Sequence, residues 1–281
     1  MAPLIEKPIS LDPEYDEKLA SFKVECNNGS LVACHSLAEF ASVVEQDFEK
    51  AAGLYIRGCY AENNGVGSGG GRNNGALPKD DAKISNQLGF SNGQGVVKGK
   101  HNGKAIAEYP PSCFNLGRML LSGKGVTEDV TKSKECFERA CDIGNHYPSC
   151  HHLAIMLLDG VDKVKSEIVA KNYIKPEPLR AKKLLERGCY EGEDPATCYL
   201  LGGILLNGKS GIKKDSVAAE LAFLESCNRG SHGPSCFNLA VMYKNGDGLV
   251  KKDEKKFTAY KELTEKLVAQ NMGSLSGRKI G

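Results

Sequence analysis

One short run recurs along this 281-residue chain, and it limits the fold more than any other feature. Ser112-Cys-Phe-Asn-Leu-Gly-Arg-Met-Leu-Leu-Ser-Gly-Lys-Gly-Val126 has a near copy at Ser235-Cys-Phe-Asn-Leu-Ala-Val-Met-Tyr-Lys-Asn-Gly-Asp-Gly-Leu249. Weaker copies begin at Ser149, Thr197 and Ala33. The anchoring cysteines Cys113, Cys150, Cys198 and Cys236 are separated by steps of 37, 48 and 38 residues. The long step carries extra residues around Val161 to Pro178. A repeat of this length is one helical hairpin, and a hairpin that cannot bury its apolar face alone must stack on its neighbours.

Within a unit the spacing is helical. Cys113, Leu116, Gly117 and Leu120 fall at i, i+3, i+4 and i+7, one face of a helix. Gly123 and Gly125 then stop that helix. A second helix follows, as at Thr131 to Cys141, Leu179 to Cys189 and Ser216 to Cys227, each beginning after Asp or Pro. Small residues recur at Gly117, Ala154, Gly202 and Ala240, where two helices must approach closely. Core packing accounts for these stripes without a cofactor. The expected fold class is all-α: an α/α solenoid of about five hairpins over residues 14–272. Short tails at 1–13 and 273–281 flank it. The Gly- and Asn-rich stretch 61–110 buries too little to fold and is expected to be a flexible surface insertion.

The cysteines fall into register with the hairpins. Cys141 and Cys150 are nine apart, as are Cys189 and Cys198, and Cys227 and Cys236; Cys26 and Cys34 are eight apart. In each pair the first cysteine ends one hairpin and the second opens the next. A connecting turn between antiparallel helices places such residues within disulfide reach. Cys59 and Cys113 make a fifth pair, separated by the insertion, and whether they bond is left open. The competing reading is a set of reduced core thiols in a cytosolic solenoid. Zinc is disfavoured because no C-x-x-C occurs. Cys136 lies five residues before Cys141, about 140° around a helix, and is expected to be a buried thiol outside the pairs.

Lys plus Arg total 37 against 35 Asp plus Glu, a net charge of +2, which argues against nucleic-acid binding. No run of 18 apolar residues predicts a membrane span. The N-terminal residues have neither a secretory h-region nor an Arg-rich, acid-poor presequence, so synthesis in the cytosol is expected. Gly203-Ile-Leu-Leu-Asn-Gly-Lys-Ser210 spells a phosphate loop, but no strand precedes it. Gly65-Val-Gly-Ser-Gly-Gly70 matches a dinucleotide fingerprint only by glycine content. Asn28-Gly29-Ser30 is a sequon relevant only to a secreted chain. Ser276-Gly-Arg-Lys279 matches S-x-x-K without its companion motifs. The histidines are 35, 101, 146, 151, 152 and 232; haem or copper ligation is conceivable, but solvated or capping roles suit their spacing better. No catalytic, cofactor-binding or metal-binding residue stands out.

The recurring S-C-x-x-L-A-x-M-Y-x-x-G-x-G-V followed by an amphipathic helix ending in A-C resembles the Sel1-like, TPR-like repeat. With a cysteine at each junction it resembles the Hcp-type, beta-lactamase-like repeat proteins. It is also similar to the animal cytochrome c oxidase assembly factor 7 family. Cys136-Phe-Glu-Arg-Ala-Cys141, Ser235-Cys-Phe-Asn-Leu239 and Met242-Tyr-Lys-Asn-Gly-Asp-Gly248 carry that likeness. The resemblance implies a non-enzymatic scaffold in the mitochondrial intermembrane space, oxidised by the disulfide relay there. Its partners would be complex IV subunits or assembly factors. The alternatives are a cytosolic adaptor for signalling or degradation partners, and a thiol oxidoreductase or haem- or copper-handling protein.

Overall fold

The computed structural model describes residues 13–60, 97–101, 104–162 and 173–276. Two compact units meet in sequence at Asp129 and Val130. The first holds α1 (Pro13–Asn27), α2 (Leu31–Val43), α3 (Phe48–Cys59), strands β1 (Val97–His101) and β2 (Lys104–Glu108), and α4 (Pro110–Ser122). The second holds α5 (Val130–Glu138), α6 (Tyr147–Asp159), short strands β3 (Val161–Asp162) and β4 (Tyr173–Ile174), α7 (Pro178–Tyr190), α8 (Pro195–Asn207), α9 (Ser216–Gly230), α10 (Gly233–Asn245) and α11 (Glu254–Ser276). Within the units α2 pairs with α3, α6 with α7, α8 with α9 and α10 with α11 as hairpins, and the fold is an α/α solenoid stapled by disulfides.

Local chemistry sets these boundaries. Ser30, Asp47, Asp194 and Asp215 each accept a backbone N–H three residues on, which starts α2, α3, α8 and α9. Proline occupies the first turn of α4, α6, α7, α8 and α10, where no amide donor is needed. The stop signal is just as regular. Gly123, Gly160, Gly208 and Gly246 each stand ten residues after a junction cysteine, with φ of 69°, 71°, 65° and 71°. Only glycine enters that region without a Cβ penalty. In the first hairpin Val44 holds this place with φ −94°, and its turn is built differently.

The second helices run past the cysteines that the pattern used as their ends. The helix begun by α5 continues as a π-helical turn, Arg139–Ile143, and α9 reaches Gly230. Of the insertion placed at 61–110, residues 61–96 and 102–103 lie outside the described residues, and with them the run Gly65 to Gly70. The rest forms an antiparallel ladder pairing Val97 with Glu108 and His101 with Lys104, and Pro110 opens α4. Residues 1–12 and 277–281 also lie outside the description. The phosphate-loop look-alike is the end of α8: Gly203 to Asn207 are helical, and the Gly208 N–H is donated to the Ile204 carbonyl. Among the described residues no helix is long and apolar enough to cross a membrane.

The core is a row of residues from both helices of each hairpin. In the first unit Cys26, Ala33, Cys34 and Leu37 pack with Leu19, Phe22 and Leu54. In the second, Phe137, Leu153, Leu157, Leu185, Leu201, Phe223 and Leu239 are fully buried. Two adjacent glycines in α8 show how tight one face is and how open the other. A Cβ on Gly202 would lie 2.6 Å from Cε1 of the buried Phe223, whereas one on Gly203 would meet nothing within 4 Å. Overpacking and helix propensity therefore pull in opposite directions at neighbouring positions. Gly202→Ala is expected to cost about 1–3 kcal/mol, and Gly203→Ala to leave stability unchanged or raise it by up to about 1 kcal/mol. Urea midpoints of the two variants check this.

Candidate functional site

The residues that the sequence singles out converge on the five junctions between hairpins. The structure joins Cys26 to Cys34, Cys59 to Cys113, Cys141 to Cys150, Cys189 to Cys198, and Cys227 to Cys236. Their Cα separations are 4.7, 4.5, 4.9, 4.6 and 5.1 Å. One turn builds four of these junctions. Five places before the second cysteine stands a residue with positive φ: Gly29, Asn145, Glu193 or Ser231. At three of them the next residue returns its N–H to the carbonyl just before the first cysteine. These bonds are Ser30 to Glu25 at 2.9 Å, His146 to Ala140 at 3.0 Å and Asp194 to Gly188 at 3.2 Å. Tyr109 to Gly58, at 2.8 Å, makes the same bond across the insertion. The chain thus re-enters a helix beside the one it has left, and the two cysteines face each other.

The approach is close enough to select the residues beside each cysteine. A Cβ on Gly58 would lie 2.6 Å from the Ser112 Cβ, and one on Gly188 would lie 2.9 Å from the Thr197 Cγ2. Cys136 is buried on α5, outside the five pairs. Among the described residues no group of three or more His, Cys, Asp or Glu is placed to hold a metal ion.

Two features of the seam escaped the reading of the sequence. The first is the hydroxyl just before the second cysteine. Ser112, Ser149, Thr197 and Ser235 are all buried, and each meets an imidazole Nδ1. The donors or acceptors are His35 at 3.1 Å, His146 at 2.9 Å, His151 at 2.9 Å and His232 at 3.0 Å. Thr197 also donates to the Asp194 carboxylate, and Ser235 donates to Ser226, which donates to the Pro195 carbonyl. His146 and His232 occupy N-cap positions, but their side chains make no cap hydrogen bond and meet the Ser149 and Ser235 hydroxyls instead. His35 and His151 do not match the expectation of solvated or capping residues. Each follows a junction cysteine, so its ring lies on the face that meets the next hairpin. The His35 ring is edge-on to Tyr109 at 4.9 Å. The side chain of His101 lies outside the description.

The second feature is an arginine two residues before the first cysteine. Arg57 Nη2 donates to the Cys26 carbonyl at 3.0 Å. Arg187 Nη2 donates to the Cys141 carbonyl and lies 2.8 and 3.1 Å from the Cys141 and Cys150 sulfurs. The available signal was the recurring triplet Arg57-Gly58-Cys59, Arg139-Ala140-Cys141 and Arg187-Gly188-Cys189. Arg57 and Arg187 each reach back to the preceding junction, a partner that local spacing does not name. The chemistry seen at this seam is cross-linking of paired thiols and satisfaction of buried polar groups.

Comparison with known proteins follows the same lines. A family model described as Sel1 repeat matches residues 31–63, 110–145, 195–223 and 233–261. The hairpin of α6 and α7 lies outside these segments although it folds in the same way; extra residues after Gly160 stretch its sequence. Cytochrome c oxidase assembly factor 7 of Xenopus tropicalis is 34% identical over 151 residues, 53% of this chain. The chain spans 61% of the length of that relative. A crystal structure of a protective antigen of uropathogenic Escherichia coli strains, displaying an SLR fold, superposes with a TM-score of 0.59 at 16% identity. It covers 88% of this chain and 41% of that one, and the likeness is one of fold.

Burial lowers the pKa of His35, His151 and His232 from the ordinary 6.5. His152 lowers His151 further; Glu39 opposes the shift at His35, and Asp194 opposes it at His151 and His232. The folded chain therefore favours neutral rings. Below pH 6.5 the unfolded state takes up these protons first, so stability is full above that pH and falls as pH drops through the folded values. Urea midpoints should decline from pH 7.5 to pH 5, and less steeply in His151→Gln. A decline unchanged by that substitution would contradict a proton-linked seam at His151.

Proposed function

From a chain that carries Sel1 repeats, we propose a non-catalytic scaffold for the assembly of cytochrome c oxidase, working in the mitochondrial intermembrane space. The observation that carries this reading is the 34% identity with cytochrome c oxidase assembly factor 7. The junctions support the compartment. Five cysteine pairs, one at each junction, suit an environment in which disulfides form and persist. They also suit the task. A solenoid hairpin is held by its neighbours alone, and a covalent staple at each junction keeps the first-helix faces in fixed register for a partner. The scaffold binds and positions components of complex IV, and its cysteines are oxidised on entry by the disulfide relay.

Two measurements test the proposal together. Depleting the protein should lower assembled complex IV on native gels while leaving other respiratory complexes in place. Peptide mapping of the endogenous protein, with thiols blocked at lysis, should find 141–150, 189–198 and 227–236 oxidised in the intermembrane-space fraction. Normal complex IV after depletion overturns the assembly role. A cytosolic protein with all eleven thiols reduced moves it to the adaptor reading.

A further inference from the structure

The turns inside the last two hairpins match residue for residue. Ile212-Lys213-Lys214-Asp215 leads into α9, and Val250-Lys251-Lys252-Asp253 leads into α11. Lys214 Nζ lies 2.7 Å from the Asp247 carboxylate and Ser216 donates to it at 2.7 Å, so the two turns lie side by side. Asp247 and Val250 exchange both backbone bonds at 2.9 Å. That tight loop buries Val250 and leaves Leu249 83% exposed. The equivalent of Leu249 in the neighbouring turn is Gly211, so the fold does not require an apolar side chain there. The acids of the two turns are mostly engaged. Asp215 and Asp253 accept backbone N–H groups at the starts of α9 and α11, and Asp247 holds Lys214 and Ser216. Lys213, Lys251, Lys252 and Lys255 are exposed, and none of them is ion-paired among the described residues. Glu254 is the remaining exposed acid.

We propose that these two turns dock on an anionic membrane surface, with the lysines over lipid phosphates and Leu249 sunk into the headgroup layer. Charge selects an anionic partner, because four ammonium groups stand on adjacent turns without counter-charges of their own. The apolar tip selects a bilayer over an acidic protein. Leu249 stands out from the turn, two residues before Lys251 and three before Lys252. Against an acidic protein that leucine faces carboxylates and gains nothing unless the partner supplies a pocket. A bilayer presents phosphates and acyl chains at one surface and satisfies both signals together. Neither signal suffices alone: one leucine buries little, and the attraction of a few lysines fades within a Debye length. The contact is peripheral, since no helix among the described residues is long and apolar enough to cross a bilayer.

The inference goes beyond the scaffold reading and does not depend on it. Its test uses the purified full-length chain, so failure of the complex IV depletion experiment leaves it standing, and its own failure leaves the assembly role standing. Sedimentation with vesicles of phosphatidylcholine and phosphatidylglycerol, two parts to one, should show saturable binding at low salt that pure phosphatidylcholine does not. Leu249→Ser should weaken that binding about tenfold. The double variant Lys251→Gln, Lys252→Gln should weaken it about twentyfold, and both should keep the wild-type melting temperature. The same loss of charge on other helices, in Lys23→Gln with Lys183→Gln, should leave binding at the wild-type level. The chain has no tryptophan, so Leu249→Trp supplies a single indole whose emission should shift to the blue on the phosphatidylglycerol vesicles. No binding to those vesicles, equal binding by both turn variants, an equal loss in the control variant, or unshifted emission from vesicle-bound Leu249→Trp overturns the proposal. So does displacement by inorganic phosphate at matched ionic strength, which assigns the lysines to a free anion. Tighter binding to polyglutamate that Leu249→Ser leaves unchanged overturns it in favour of an acidic protein.

Discussion

A single turn geometry at the hairpin junctions governs the rest of the molecule. At four junctions a residue with positive φ redirects the chain, and at three of these the next N–H is tied back to the carbonyl preceding the first cysteine. Where both are present the two helices are so close that their cysteine Cα atoms lie 4.6–4.9 Å apart. Everything else at the seam follows from that distance. Glycine is needed at 58 and 188, a small hydroxyl is the neighbouring residue, and a disulfide closes the contact. On the chain-entropy account a nine-residue separation contributes about 2–3 kcal/mol and the 54-residue loop about 4 kcal/mol.

The seam is polar as well as covalent. Ser112, Ser149, Thr197 and Ser235 are shut away from water, and leaving any of them without a partner would cost about 1–3 kcal/mol. Imidazoles supply the partners, and they come from two places. His146 and His232 sit in the same turn as the hydroxyl they meet, whereas His35 and His151 reach from the preceding hairpin. Arg57 and Arg187 reach back to carbonyls of the preceding junction. Neighbouring hairpins are thereby fixed in register as well as in contact, because a slip of one residue would strand several buried groups at once.

This division of labour bears on function. With disulfides, hydroxyls and the fully buried leucines holding hairpin to hairpin, the outer faces of α6, α8 and α10 are released from stabilising the fold. They are free to carry Tyr199, Phe237 and Val241 in the open. In the first unit the corresponding positions bear Glu39 and Arg118, so the two units offer different chemistry on equivalent helix positions.

The hairpin unit, its helix-stopping glycines at 123, 160, 208 and 246, and the register of the cysteines were legible in the sequence because they are local. A 3.6-residue period, a φ that only glycine tolerates, and a nine-residue step between cysteines all act within a few turns of chain. Cys59 and Cys113 were legible as a pair, but whether they bond was not, since 54 residues separate them; in the structure the disulfide and the bond from Tyr109 to Gly58 close that junction. Nor were the bonds of His35, His151, Arg57 and Arg187, whose partners lie 31 to 77 residues away. The contrast between Gly202, jammed against Phe223, and Gly203, open beside it, was likewise hidden in two identical letters. The sequence by itself determined which segments become helices and where they stop, through short-range sterics and periodicity. The tertiary structure alone decided which side chains meet across a seam and which face stays open, because that depends on how whole helices are placed against one another.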